Sequence, residues 1–127
     1  LTLLGDVYYE LGKSLPAAEA FTKALKLNSK TIPALRGLAL IRSTAEEEEL
    51  RNGKEALRLA EFLMGSPGAS QNPDFIRILA AAHFESGEYI KSKTLAEKAL
   101  RMAHDRSLLS LINEIESLLI LIREKRK

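Results

Sequence analysis

The stretch that decides the fold is residues 1–27, LTLLGDVYYELGKSLPAAEAFTKALKL. Its apolar residues recur three or four positions apart, which predicts helices because residues with that spacing share one helix face. Gly12 ends the first predicted helix, and Leu15 with Pro16 opens the second. Proline suits a first helical turn because its missing N–H would have no partner there. The stretch therefore predicts two consecutive helices joined by a short turn.

The same helical spacing continues along almost the whole chain, and the alternation typical of strands is absent. Capping residues, Pro and Gly mark the predicted starts and ends. The later helices are predicted over residues 31–44, 53–64, 73–87, 90–103 and 108–124. The sequence therefore predicts an all-α protein.

Small and large residues recur along these helices with a regular spacing. The recurring residues are Gly5, Tyr8, Ala17, Phe21 and Ala24, then Gly37, Leu40, Ala56, Ala60 and Leu63, then Ala80, His83, Ser92, Ala96 and Ala99. In the first and third copies the small residue of one helix precedes that of the next helix by 12 positions, whereas Gly37 precedes Ala56 by 19. Two helices approach closely only where small side chains face each other, with large ones filling the gaps beside them.

This spacing resembles the tetratricopeptide repeat family over about residues 1–103. The resemblance implies a right-handed superhelical stack of antiparallel helix pairs, an α-solenoid, with a C-terminal closing helix. It implies one domain over residues 1–127, with repeat one at about 1–30, repeat two at about 31–69, repeat three at about 72–104 and the closing helix at about 106–124. Arg36, His83 and Ser92 depart from the family pattern, which has Leu, an aromatic residue and Ala at those positions.

The longer second copy contains an insertion at residues 45–52. Its four consecutive glutamates, Glu46 to Glu49, interrupt the apolar pattern. A Ca²⁺ loop would alternate its ligands with spacers and include a Gly for the sharp turn, and this run does neither. We therefore expect a solvated connection and no cation site.

Composition excludes several classes of function. The chain has no Cys, which excludes disulfide frameworks and thiolate sites, and its two histidines are too few and too differently placed for a His-based metal site. The net charge of the whole chain is +2, and residues 123–127 alone carry +3. Residues 1–122 are therefore nearly neutral and offer no basic face for nucleic acid. The most apolar stretch, 108–122, is interrupted by polar residues and is too short for a membrane span. We expect no catalytic residues, metal or cofactor, and no membrane insertion.

In the tetratricopeptide repeat family, the first helices of successive repeats line a concave groove that receives a peptide or a partner helix. The resemblance assigns this role to the residues at matching offsets, which are Thr2, Asp6, Tyr9, Glu10, Ala34, Leu38, Ile41, Arg42, Arg77, Ala81, Phe84 and Glu85. Three of them, Tyr9, Ile41 and Phe84, are predicted to form an apolar line along the groove. The resemblance thus implies a non-catalytic module that binds a protein or peptide.

The alternative hypothesis is a structural or assembly arm that makes contacts, including contacts with a second copy, through the ends of the stack. Leu109 and Ile120 lie away from the centre of the apolar face of the last helix, so they are candidates for such a contact. Residues 50–57 and 78–82 are similar to tetratricopeptide arms at the C-terminal end of larger bacterial proteins, some of them membrane-embedded glycosyltransferase-like enzymes. The chain, which begins without Met, is accordingly expected to be a fragment of a longer protein. A third possibility is that it presents substrate to such an enzyme.

Overall fold

The computed structural model describes residues 2–125, and within them every regular element is a helix. The helices are α1 (Thr2–Glu10), α2 (Ser14–Leu27), α3 (Ile32–Thr44), α4 (Gly53–Met64), α5 (Pro73–Glu85), α6 (Tyr89–Asp105) and α7 (Leu109–Lys125). Short 3-10 helices cover Glu48–Leu50 and Ala69–Gln71. The predicted all-α class is confirmed. Leu1 and two residues of the predicted basic tail, Arg126 and Lys127, lie outside the described residues, as does the side chain of Thr2.

The helices pack in a regular order. Each one contacts the next along the chain, and α1, α3, α5 and α7 also contact one another in series. The even-numbered helices have little or no direct contact with each other. The odd-numbered helices therefore form a row in which neighbours touch, and the even-numbered helices pack on this row with wider spaces between them. The predicted closing helix is α7, which begins at Leu109 rather than at residue 106.

Three of the turns between helices share one hydrogen-bond pattern. The residues in the left-handed conformation are Gly12, Gly87 and Ser107, with φ of 74°, 83° and 56°. At each turn this residue donates its N–H to the carbonyl three positions back, and the next residue donates to the carbonyl five positions back. This is the Schellman arrangement, which pairs the last carbonyls of a helix. It closes α1, α5 and α6 and leaves room for only a three-residue connection to the following helix.

The first three helices meet around one aromatic ring. Phe21 of α2 is buried against two glycines, Gly5 on α1 and Gly37 on α3. A Cβ at Gly5 would lie 2.6 Å from Cε1 of Phe21, and a Cβ at Gly37 would lie 2.4 Å from Cε2 and Cζ of the same ring. Both glycines are therefore required to have no side chain if the ring is to keep its place.

A different contact joins α5 and α6. The fully buried Ser92 of α6 donates its hydroxyl to the carbonyl of Ala80 on α5, at 2.7 Å. The two residues are 12 positions apart, the offset that also separates Gly5 from Ala17. Serine at this position is small enough for close approach and adds a hydrogen bond between the helices.

The connection at residues 45–52, predicted to be solvated, is solvated at its glutamates and buried at both sides of them. Glu46, Glu48 and Glu49 are exposed as expected, but Ala45 and Leu50 are buried and belong to the core that α2, α3 and α4 share. The physical reason is that the 3-10 helix over Glu48–Leu50 turns the side chain of Leu50 into the core, while the glutamates before it stay at the surface. Burying a Leu side chain contributes about 1.5–3 kcal/mol.

We predict that Gly5→Leu lowers the free energy of unfolding by about 1–3 kcal/mol, because any side chain at Gly5 overlaps the ring of Phe21. Chemical denaturation monitored by circular dichroism measures the change. Glu47→Ala, in the 45–52 connection, is the control and should leave stability almost unchanged. Equal effects of the two substitutions would contradict the close approach of α1 and α2.

We also predict that Ser107→Gly stabilises the protein by up to about 1 kcal/mol, because a left-handed φ is costly for residues with a Cβ and not for glycine. The reciprocal change, Gly87→Ser, should destabilise by a similar amount. Thermal melting of the two variants checks both signs. A melting temperature that falls for Ser107→Gly would show that its side chain contributes more than its backbone conformation costs.

Candidate functional site

The residues predicted to line a groove do not form one exposed surface. Asp6, Tyr9 and Glu10 are exposed, whereas Arg42, Phe84 and Glu85 are half-buried. The buried members are Ala34, Leu38, Ile41, Arg77 and Ala81.

The predicted apolar line through Tyr9, Ile41 and Phe84 is broken in the middle. Ile41 is only 1% exposed and belongs to the core, whereas Tyr9 is 38% exposed. The physical reason is that α3 packs against four helices, α1, α2, α4 and α5, so little of its surface remains open. Phe84 instead packs against Tyr89 of α6, with ring centroids 5.4 Å apart. The prediction of an exposed three-residue line is therefore wrong.

Arg77 belongs to a network of ion pairs that joins three odd-numbered helices. Its Nη2 lies 2.7 Å from Oδ1 of Asp74 on the same helix and 3.1 Å from Oε2 of Glu114 on α7. Arg36 on α3 donates to both carboxylate oxygens of Asp74. Asp74 thus accepts from two arginines, and the network ties α5 to its neighbours on both sides.

The network shifts the pKa of two of its members, Asp74 and Arg36. Burial alone would raise the pKa of Asp74, but the hydrogen bonds and positive charges of Arg36 and Arg77 together outweigh burial and lower that pKa. Burial alone would lower the pKa of Arg36, but the hydrogen bond and charge of Asp74, together with smaller contributions from Tyr9 and Glu114, outweigh burial and raise that pKa. The charged forms of both residues are therefore favoured in the folded state. Nε of Arg77 is buried without a hydrogen-bond partner among the described residues.

Arg42 and Glu85, two more predicted groove residues, hold the 45–52 connection in place. Nη1 of Arg42 donates to the carbonyl of Leu50 at 3.0 Å, and the backbone carbonyl of Arg42 accepts from the N–H of Asn52. Glu85 pairs with Arg51, whose guanidinium also donates to the carbonyl of Ala45 at 2.8 Å. One N–H group of Arg42 and one carboxylate oxygen of Glu85 are thus engaged within the fold.

A cleft does open between α2 and α4, and we call it the α2–α4 cleft. Its volume is about 320 Å³, and its lining residues are Thr22, Leu25, Lys26, Ser29, Leu35, Leu38, Arg42, Glu55, Arg58, Leu59 and Phe62. The buried leucines Leu35, Leu38 and Leu59 form its floor, and the exposed Phe62 stands at its rim. The cleft exists because α2 and α4 both pack on α3 but hardly touch each other.

Only two residues of the α2–α4 cleft, Leu38 and Arg42, are among the residues predicted to bind a partner, and they were predicted to lie in a groove lined by the first helix of each repeat. The walls come instead from α2 and α4. One signal for them was present in the sequence. Phe62 lies beside the buried face of α4, which contains Leu59 and Leu63, so the helical spacing of α4 places its ring at the edge of the packed face.

Two further apolar surfaces lie on the first and last helices. The first-helix surface consists of Leu3, Leu4, Val7 and Leu11, the last of which directly follows α1. The last-helix surface consists of Leu109 and Ile120, which lie on one side of α7, and the exposed Leu121 lies about 100° around the helix from Ile120. The structure thus leaves Leu109 and Ile120 exposed, as the helical periodicity of α7 predicts.

No protein-family model matches the chain. Over residues 2–125, His, Asp and Glu side chains form no group of three or more that could hold a metal ion. None of the helices in the described part combines the length and the apolar character needed to cross a membrane. The geometry of the clefts and exposed faces is therefore what points to function.

We predict that Asp74→Asn lowers the free energy of unfolding at pH 7 by about 1–3 kcal/mol, because it leaves two arginines without their shared carboxylate. The pKa of Asp74 is lowered in the folded state, so its contribution is fully present above the unfolded value of about 4 and is lost as the pH falls through the lower folded value. The difference from the native chain should therefore shrink below about pH 4.

Urea denaturation at several pH values measures this difference. Glu116→Gln on α7 is the control because Glu116 is exposed and, within residues 2–125, forms no ion pair. A difference between Asp74→Asn and the native chain that stays constant from neutral to acidic pH would contradict a role for the charge of Asp74.

Proposed function

We propose that the chain is a non-catalytic protein-interaction module, built as a tetratricopeptide-like right-handed superhelical stack, whose main contacts are made through its two ends. The occupant of each end is the opposite end of a second copy. The observation that carries the proposal is the accumulation of exposed apolar side chains on α1 and α7.

Three packing features support the tetratricopeptide-like architecture. The odd-numbered helices contact one another in series, as the first helices of stacked pairs would. Phe21 fills the gap beside Gly5 and Gly37, where the motif expects a large residue next to small ones. Ser92 and Ala80 meet at the motif's positions of closest approach. A stack of this kind buries the faces between its pairs and leaves the two outermost faces uncovered.

The apolar side chains on the first helix are arranged as one surface rather than scattered. Leu3, Val7 and Leu11 follow one another at intervals of four residues and so lie along one side of the helix. Single exposed leucines are common and need no explanation, but a contiguous apolar surface marks an interaction site. Covering such side chains contributes about 25 cal/mol for each Å² removed from water.

The positions of α1 and α7 favour contact between opposite ends. The packing partners of α1 are α2 and α3, and those of α7 are α5 and α6, so each helix has neighbours from only one direction of the stack. A contact between unlike surfaces is heterologous, and each copy then keeps one free end on which the assembly grows.

Binding of a peptide in a groove is the second candidate function, and the α2–α4 cleft is the observation that favours it. The similarity to the C-terminal arm of a larger bacterial enzyme stays a prediction.

Sedimentation velocity over a concentration series tests the end contacts. We expect the native chain to self-associate, and we expect both Val7→Lys with Leu11→Lys and Leu109→Lys with Ile120→Lys to be monomeric with unchanged helical content. Ile90→Lys is the matched control, because Ile90 on α6 is 72% exposed and Leu109 is 73% exposed. It should associate like the native chain.

Mixing the two double variants distinguishes heterologous from isologous contacts. Each double variant keeps the end that the other has lost, so a heterologous contact predicts a one-to-one dimer that does not grow further. If one double variant still dimerises alone, the contact joins like ends. A native chain that stays monomeric at high concentration would overturn the proposed self-association.

A further inference from the structure

We propose that the α2–α4 cleft binds a short acidic segment of another protein, one that carries leucine-class apolar side chains between Asp or Glu residues. The cleft is walled by even-numbered helices and contains no residue of α1 or α7. The inference therefore goes beyond the end contacts and does not depend on them.

The exposed side of Phe62, together with Leu25, makes the cleft selective for apolar side chains. Leu35, Leu38 and Leu59 are at most 3% exposed and close the bottom of the cleft, so its open apolar surface comes from Phe62, which is 47% exposed, and from the half-buried Leu25. The volume of about 320 Å³ lies at the lower end of the range for ligand sites, so the cleft accommodates a few side chains and not a broad protein face. A segment that inserts Leu or Ile would cover Leu25 and the exposed side of Phe62.

The charges around the floor select an acidic segment. Lys26, Arg42 and Arg58 line the cleft together with one carboxylate, that of Glu55. Glu55 is already paired with Arg58, at 3.1 Å between Oε1 and Nη2. Within residues 2–125, Lys26 has no carboxylate oxygen within 4.0 Å. The cleft therefore carries a net positive charge, which attracts carboxylates and repels a basic segment.

The apolar surface of the cleft continues on the other side of Phe62. Phe62 also lines a neighbouring depression together with Lys30, Ile32 and Pro67. Glu61 also lines this depression, and its negative charge is balanced by the positive charge of Lys30. A bound segment thus has a second apolar contact next to Phe62, formed by Ile32 and Pro67.

Fluorescence anisotropy with the full chain tests the inference. The probe is a short labelled synthetic peptide with blocked termini, Leu residues spaced three and four positions apart and Glu elsewhere. Two comparison peptides replace every Glu by Lys or every Leu by Ser. We expect saturable binding of the first peptide only, weakened by salt because the exposed charges are screened.

Lys26→Glu and Phe62→Ala should each weaken binding at least about tenfold. Lys23→Glu is the matched control for the first, because Lys23 is an exposed lysine on the same helix that does not line the cleft. Ile90→Ala is the control for the second. Neither control should change the affinity, and all four variants should keep the native melting temperature.

Several results would overturn the inference. Equal binding of the acidic and basic peptides would remove the charge selection, and equal binding of the Leu and Ser peptides would remove the apolar selection. Loss of self-association in Lys26→Glu or Phe62→Ala would show that a second copy occupies the cleft. Absence of peptide binding while the native chain still self-associates would overturn this inference alone and leave the proposed end contacts intact.

Discussion

The packing of the Phe21 ring between two glycines is the contact on which the arrangement of the first three helices depends. Because Gly5 and Gly37 have no side chains, one ring touches the backbone regions of both α1 and α3. Densely packed interiors tolerate neither a gap nor an extra methyl group at such a place. The distance of α2 from each neighbour is thereby fixed, and α1 and α3 are brought close enough to contact each other directly.

The same closeness explains why the predicted groove is not where its residues were expected. Once α1, α3 and α5 form a contacting row, α3 is surrounded, and Ile41 and Ala34 are enclosed in the core. The even-numbered helices are attached to the outside of this row and are spaced more widely, so the open space lies between α2 and α4. The close packing of α1, α3 and α5 therefore leaves a cleft between α2 and α4.

The sequence was sufficient to predict the helices, because their apolar spacing, prolines and glycines are local signals. Asn72 illustrates this, since its side chain caps α5 by accepting from the N–H groups of Asp74 and Phe75. Exposure was predicted correctly for Leu109 and Ile120, since helical periodicity alone decides it. The prediction of exposure was wrong for Ile41 and Leu50, because their burial depends on which other helices surround them. The cleft was missed for the same reason, because its walls are far apart in the sequence.

The helix α5 divides the interior, and the charged network crosses that division. Ile78 and Ala82 of α5 belong to the cluster shared with α2, α3 and α4, whereas Ile76 and Ala80 belong to the cluster shared with α6 and α7. Arg36, Asp74, Arg77 and Glu114 join α3 to α5 and α5 to α7, so they connect elements from both clusters.

An ion pair of this kind does more for the relative placement of helices than for total stability, since the cost of removing charges from water offsets much of the attraction. Breaking it is expensive all the same, because Arg77 would remain buried and charged. The two clusters are thus held in one alignment by groups that tolerate only a narrow range of positions. That alignment determines how the surface on α7 is oriented relative to the α2–α4 cleft.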